Sequence, residues 1–248
     1  GYNYISVRAI DGVGNLSSES GEEVFYVKKD TIPATVVDNQ PGDDTWRNTG
    51  TSYDVDFVDE LSHLDDAYYC IWSSTGRTGT EVLTWQPIFT NLDEVSYTQN
   101  WSVNFDSCTA GYNYVSVRLF DIAGNEVIIE DVFYVKKDTI PPAAITDLTA
   151  EPGTVRGQVK LTWTAPGDDG TIGDNTAGGY IVKYATFAID AANWDSATTF
   201  YNTWTPLPVG QTEVHIVTGL TVGVTYYFAV RAYDKVPGPP LNLGNMSN

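Results

Sequence analysis

Most side chains here that could do chemistry are acids. Aspartates stand close together at Asp59, Asp65 and Asp66 and at Asp168, Asp169 and Asp174, and singly at Asp30, Asp121, Asp138 and Asp234; Asn125 lies four residues beyond Asp121. Two kinds of work suit them. As oxygen donors they could ligate calcium, which takes roughly six to eight oxygens. As turn residues, Asp, Asn and Gly bend the chain and point to water. No EF-hand spacing occurs to choose between the two. The histidines, His63 and His215, are far apart, and no Gly-x-Ser-x-Gly, paired histidine or phosphate-binding glycine loop is present. Nothing therefore points to nucleophilic, metal-hydrolytic or phosphoryl-transfer chemistry, and the chain is read as non-enzymatic. Acidic pairs such as Asp65-Asp66 read as turns rather than as a general acid with its base. Trp194, Phe200, Tyr201 and Trp204 crowd one segment. Trp194 and Trp204 would suit sugar stacking, or the group would cover a core edge.

Composition narrows the partners. With 13 basic and 32 acidic side chains the net charge is −19. That disfavours nucleic acid and anionic membrane surfaces, which attract basic patches. No apolar run reaches the ~18 residues of a membrane-spanning helix. Cys, Met and Lys are scarce beside Thr, Tyr, Asp and Gly. This balance reads as a secreted or cell-surface, all-β protein.

The elements that must carry these residues are announced by a repeat. GYNYVSVRLFDIAGNEVIIEDVFYVKKDTIPP, from Gly111 to Pro142, has a near-copy in GYNYISVRAIDGVGNLSSESGEEVFYVKKDTIPA, from Gly1 to Ala34. The two-residue length difference lies in the turn, where insertions are tolerated. A repeat this long is a whole small domain. Three regions follow: residues 1–34, the closing hairpin of a truncated module; 35–143, a complete module; and 144–248, a module of another kind. In 35–143, short runs with period-2 alternation (Tyr53, Val55, Phe57; Trp101, Val103, Phe105; Val115, Val117, Leu119) alternate with turn signals. The pattern predicts strands over 35–38, 53–57, 67–73, 82–85 and 96–105 before the repeated hairpin, and so a β-sandwich. In 144–248, Val159, Leu161, Trp163 and then Tyr180, Val182, Tyr184 alternate, and Val214, Ile216 and Leu220 lead into Tyr226, Phe228, Val230 and Ala232. No helix is predicted.

Residues 144–248 resemble the fibronectin type III family. The residues that carry this are Ile145-Thr146-Asp147-Leu148, Trp163, Leu220 and Tyr226 within Gly223-Val-Thr-Tyr-Tyr-Phe-Ala-Val-Arg-Ala. The resemblance makes Trp163 a core residue and Tyr226 the tyrosine corner, whose hydroxyl ties its strand to the preceding loop. Asn248 falls where the last strand has barely begun, so that strand is expected to be short or missing. Residues 35–143 resemble the immunoglobulin-like modules of bacterial surface proteins, through Gly111, Asn113, Val115, Val117, Leu119, Asp121, Ala123-Gly124-Asn125 and the closing Asp138-Thr139-Ile140-Pro141-Pro142. Here Asn113 stands where the corner tyrosine would be.

The sandwich reading has consequences. Cys70 falls on the third strand and Cys108 just before the sixth, which are neighbours. A cystine is expected, worth about 4 kcal/mol in the chain-entropy model; the alternative is two buried thiols. In these folds the loops after strands two and six lie at the pole facing the preceding module. Asp30 should then approach Asp59, Asp65, Asp66, Asp121 and Asn125, and Asp138 should approach Asp168, Asp169, Asp174 and Asp234. Such junctions would suit calcium, the one cofactor the sequence suggests. The apolar face of the opening hairpin (Ile5, Val7, Ala9, Phe25, Val27) should be covered by a neighbouring copy or by another part of the same polypeptide. The whole reads as a stalk, spacer, adhesin or filament segment of a large extracellular bacterial protein, touching other modules, neighbouring copies, surface glycans or proteins. The alternative is an accessory spacer or carbohydrate-binding region of a secreted polysaccharide-degrading enzyme.

Overall fold

Period-2 alternation decides which face of a strand enters a core, and it governs both halves of this chain. The computed structural model describes residues 1–17, 25–40, 44–170, 177–236 and 240–248 and is nearly all β. It divides into two compact units, Gly1–Asp44 with Thr49–Lys136, and Thr45–Asn48 with Lys137–Asn248.

The first unit opens with a hairpin of β1 (Tyr2–Ile5) and β2 (Phe25–Lys28), with Tyr2 opposite Lys28. A two-layer sandwich follows. One layer holds β3 (Thr35–Asp38), β6 (Val55–Val58) and β9 (Ser96–Tyr97) in the order β3-β6-β9, with the short pair β5 (Ser52–Tyr53) and β10 (Trp101–Ser102). The two-residue β4 (Trp46–Arg47) belongs to the second unit. The other layer contains β7 (Leu64–Ser74), β8 (Thr78–Phe89), β11 (Gly111–Asp121) and β12 (Glu126–Lys137), in the order β12-β11-β7-β8. Between the layers Val55, Phe57, Ile71, Val115, Val117 and Leu119 are fully buried. Each contributes roughly 1.5–3 kcal/mol through its burial.

The second unit repeats the plan. The layer β13 (Thr149–Pro152), β14 (Val159–Thr164) and β17 (Thr212–Val217) runs β13-β14-β17. The facing layer of β15 (Gly179–Ala185), β16 (Thr198–Phe200) and β18 (Tyr227–Tyr233) runs β16-β15-β18. Trp163 fills the centre, edge-on to Tyr180 with ring centroids 5.0 Å apart. The Tyr226 hydroxyl accepts the Thr221 N–H at 3.3 Å, the tie of a tyrosine corner. In the first unit Asn113 does the same task from a fully buried position: its Oδ1 accepts the Thr109 N–H at 2.9 Å and its Nδ2 donates to the Thr109 carbonyl at 2.8 Å. Each unit is thus an antiparallel sandwich of the fibronectin type III and immunoglobulin-like type. Where a short or missing last strand was expected, residues 243–248 run along β18 as irregular chain. Leu243 bridges Tyr233, Gly244 N–H bonds Ala232 O at 2.9 Å and Ser247 N–H bonds Val230 O at 2.9 Å.

The structure corrects several expectations. The two cysteines form no disulfide. On β7, Tyr69 and Ile71 point into the core, so Cys70 between them points out of the other face, toward Trp72 and Arg77. Cys108 lies inside the core, its Sγ 3.8 Å from the Asn104 carbonyl. The thiols are on opposite sides of one sheet. The strand expected over 96–105 divides into β9 and β10, which pair with different partners, and ends in a 3-10 turn at Phe105–Ser107. β7 starts at Leu64, earlier than expected, because a bulge between Phe120 and Asp121 lets Asp121 pair with Leu64. On β17 the inward set is Glu213, His215 and Val217, while Val214 and Ile216 are exposed.

The hairpin reproduces its repeat on one face only. Tyr2, Tyr4 and Tyr26 cluster as Tyr112, Tyr114 and Tyr134 do, and Lys28 lies 5.4 Å from the Tyr2 ring as Lys136 does from Tyr112. On the other face Val7, Phe25 and Val27 are 54, 49 and 48% exposed, against 0, 7 and 1% for Val117, Phe133 and Val135. Within this chain by itself, that face is uncovered.

Candidate metal centre

Three remote carboxylates meet in the first unit. Asp30, Asp59 and Asp121 each bring an oxygen within 4.8 Å of the others. Each is placed by local chain chemistry. Asp30 opens Asp30-Thr31-Ile32-Pro33, and its Oδ1 accepts the Ile32 N–H at 2.9 Å; Pro33 keeps Ile32 extended. Asp59 follows β6, and its Oδ1 gathers the N–H groups of Leu61, Ser62 and His63 at 2.9, 2.7 and 3.1 Å. His63 closes that loop with φ 74°, in the left-handed region. Asp121 ends β11 and is held by Asn125, backbone N–H to Oδ1 at 2.8 Å and side-chain amide to Oδ2 at 2.7 Å. Asp59 and Asp121 are buried. Asp30 Oδ2 is a buried atom with no hydrogen-bond partner among the described residues. The Ile32 N–H, with the Ser62 hydroxyl nearby but outside hydrogen-bond geometry, holds Asp30 below the usual carboxylate range.

The second unit draws on the same three places. Asp138 repeats Asp30, accepting the Ile140 N–H at 2.9 Å. Asp168, after β14, accepts the Lys235 N–H at 3.1 Å. Asp234, after β18, accepts the Val236 N–H at 2.9 Å through Oδ1. The chain after Asp138 is tied to the Asp168 loop by a bridge between Pro142 and Gly170 and by Ala143 N–H to Gly170 O at 2.9 Å. Asp234 is only 2% exposed, and its Oδ2 has no hydrogen-bond partner among the described residues. Burial pushes its pKa up to about 6; the Val236 N–H and nearby Asn242 oppose this, and the charges of Asp138 and Asp168 add to it.

The remaining acidic candidates stand further back. Asp65 lies beside the first cluster: burial foremost, then the charges of Asp66 and Asp121, raise its pKa. Asp66 turns away, accepting Tyr68 Oη–H and the Asn91 N–H, both at 2.9 Å. Asn125 uses its amide nitrogen to hold Asp121 in place. Asp169 is half-buried next to Asp168, and Asp174 lies outside the described residues.

The two indoles read as a sugar platform are not together. Trp194 covers the outer face of β15 and β18, with Lys183 Nζ 5.1 Å and Arg231 Cζ 5.6 Å from its ring centroid. Trp204 closes the core edge, stacked on His215 at 4.1 Å and packed with Phe200 and Trp163. Sequence reasoning missed the buried group beside it. Glu213, 1% exposed, accepts Tyr180 Oη–H at 2.9 Å, the Leu207 N–H at 2.6 Å and contacts His215 Nε2 at 2.7 Å. Burial and then the Glu213 charge raise the Tyr180 pKa. The available signal was the spacing of Glu213, His215 and Val217, obscured by the apolar Val214 and Ile216.

No family model matches the chain. It is 31% identical over 150 residues to mouse calcium-activated chloride channel regulator 1, a match covering 57% of this chain and 15% of that protein. It is 35% identical over 107 residues to the human protein of that name, covering 40% of this chain and 11% of the other. The chain thus spans less than a sixth of the curated relatives it matches. Among solved structures, the FN1–FN3 domains of chicken CNTN1 give a TM-score of 0.40 at 13% identity, covering 98% of this chain and 71% of that one. The fibronectin(III)-like modules of Clostridium thermocellum CbhA give 0.37 at 12% identity, covering 86% and 90%. No helix among the described residues is long and apolar enough to cross a membrane.

Proposed function

We propose that this chain is a non-catalytic structural segment, a spacer or stalk of a long extracellular polypeptide. The observation that carries the reading is the repeat. The same hairpin and the same aspartate-anchored Asp-Thr-Ile-Pro connection occur twice, each connection closed by an identical bond from the isoleucine N–H to the aspartate. A pattern copied as a unit along one chain extends the polypeptide by stacking like modules. The small share of the curated relatives that matches supports a segment of this kind residing in a much longer chain. The extracellular setting is read from the composition, scarce in Cys, Met and Lys and rich in Thr, Tyr, Asp and Gly. Other modules of the same polypeptide are its natural partners.

Single-molecule pulling tests the reading. A spacer should resist load and give two unfolding steps, each releasing about 35 nm for ~100 residues at 3.3–3.6 Å per residue. Collapse at negligible force would reject it. Glycan-array binding abolished by Trp194→Ala would instead favour the carbohydrate-binding alternative.

A further inference from the structure

We propose one calcium site per unit: Asp30, Asp59 and Asp121, whose oxygens converge, in the first, and Asp138, Asp168 and Asp234, which occupy the corresponding places with the first two charges felt at Asp234, in the second. The proposal goes beyond the spacer reading and stands without it. Turn-building explains any one of these aspartates by itself. It does not explain why three, drawn from a connection, from the loop after a second strand and from the end of a penultimate strand, bring oxygens within 4.8 Å of one another. Nor does it explain the recurrence of those three places in a second unit of otherwise different sequence.

The oxygens are oriented for a ligand. In all six aspartates Oδ1 accepts a backbone N–H, which fixes the carboxyl plane. In Asp30 and Asp234 the second oxygen is left buried, with no hydrogen-bond partner among the described residues. For Asp234, 2% exposed, such an oxygen calls for a cation, a proton or a hydrogen from the nearby Asn242 amide. The donors are oxygens only, with no cysteine or histidine in either cluster. That selects a hard cation over zinc. Irregular loops supplying carboxylates suit the flexible shell of calcium better than the strict octahedron of magnesium.

Calorimetric titration of the metal-stripped chain with calcium tests this, alongside melting curves in millimolar calcium and in chelator. Two ions per chain are expected, with Asp121→Asn and Asp234→Asn each removing one. Melting should move up by several degrees in calcium, and the double variant should lose that response while keeping the circular dichroism of the parent. Absence of heat with superimposed melting curves overturns the proposal, as does a stoichiometry indifferent to both variants. Magnesium binding as tightly as calcium overturns the choice of ion. If Asp234→Asn raises the melting temperature in chelator and calcium leaves the parent unchanged, the buried oxygen holds a proton and there is no metal site.

Discussion

At the scale of single residues, what burial does depends on the group that is buried. Cys70 and Cys108 are both buried, on opposite sides of one sheet, and burial raises the Cys70 pKa. Two thiols should titrate in the denatured, unreduced protein, and intact mass should not change on reduction. In the native state alkylation should be slow at both. Asn113 and Tyr226 occupy the same place in the two units but hold it differently. Asn113 is fully buried and bonds groups of Thr109, Gly111 and Val135, whereas Tyr226 is half-buried and makes one hydroxyl bond. Asn113→Ala strands several buried backbone groups and should cost about 2–3 kcal/mol, against about 1 kcal/mol for Tyr226→Phe. Urea unfolding of each variant measures both; equal losses would show that the additional hydrogen bonds of Asn113 contribute nothing to stability.

At the scale of elements, a strand is only as regular as its partner makes it. β11 runs from Gly111 to Asp121 because β7 and the core lie against it, while its repeat β1 stops at Ile5. The opening hairpin pairs only with itself and leaves Val7, Phe25 and Val27 largely in water. Deleting residues 1–28 should therefore shift the melting temperature of the rest by no more than about 2 °C in chelator, since little apolar area is lost from any core. A larger drop would mean that the hairpin supports the sandwich. An uncovered apolar face should also associate: sedimentation should show concentration-dependent oligomers that Val7→Asp with Val27→Asp abolishes. β17 teaches the converse. Its apolar Val214 and Ile216 face out because Glu213 finds three partners inside, which compensates the burial of its charge.

At the scale of the whole molecule, charge dominates. With 32 acids against 13 bases, long-range repulsion opposes the compact state. Sodium chloride in the presence of chelator should raise the melting temperature, most steeply up to about 0.1 M, where the screening length falls to about 10 Å. A flat response would show that the surface charges are already compensated. Superimposed on this is a local pH term. The Thr164 hydroxyl, then the Thr164 N–H, hold the Asp147 pKa below the ordinary carboxylate value. The folded-state value being the lower one, this contribution is full above the unfolded carboxylate pKa and fades as pH falls through the folded one. Asp147→Asn should flatten the acid limb of melting temperature against pH, and an unchanged slope would remove Asp147 from the account.

The sequence by itself determined the β class, the repeat, the alternation that builds both cores, Trp163 and Tyr226 as fixtures of the second unit, and which aspartates sit at connections and strand ends. These are local properties: period, turn chemistry and copy number are written in neighbouring residues. Only the tertiary structure decided that Cys70 and Cys108 face away from each other, that Trp194 and Trp204 belong to different surfaces, and that Glu213 rather than Val214 points inward. Each of those depends on the face a strand presents, and a shift of one residue reverses it. The convergence of Asp30, Asp59 and Asp121 within 4.8 Å is of the same kind. Turn chemistry places each carboxylate at the end of its own element, and only the packing of those elements brings the three together.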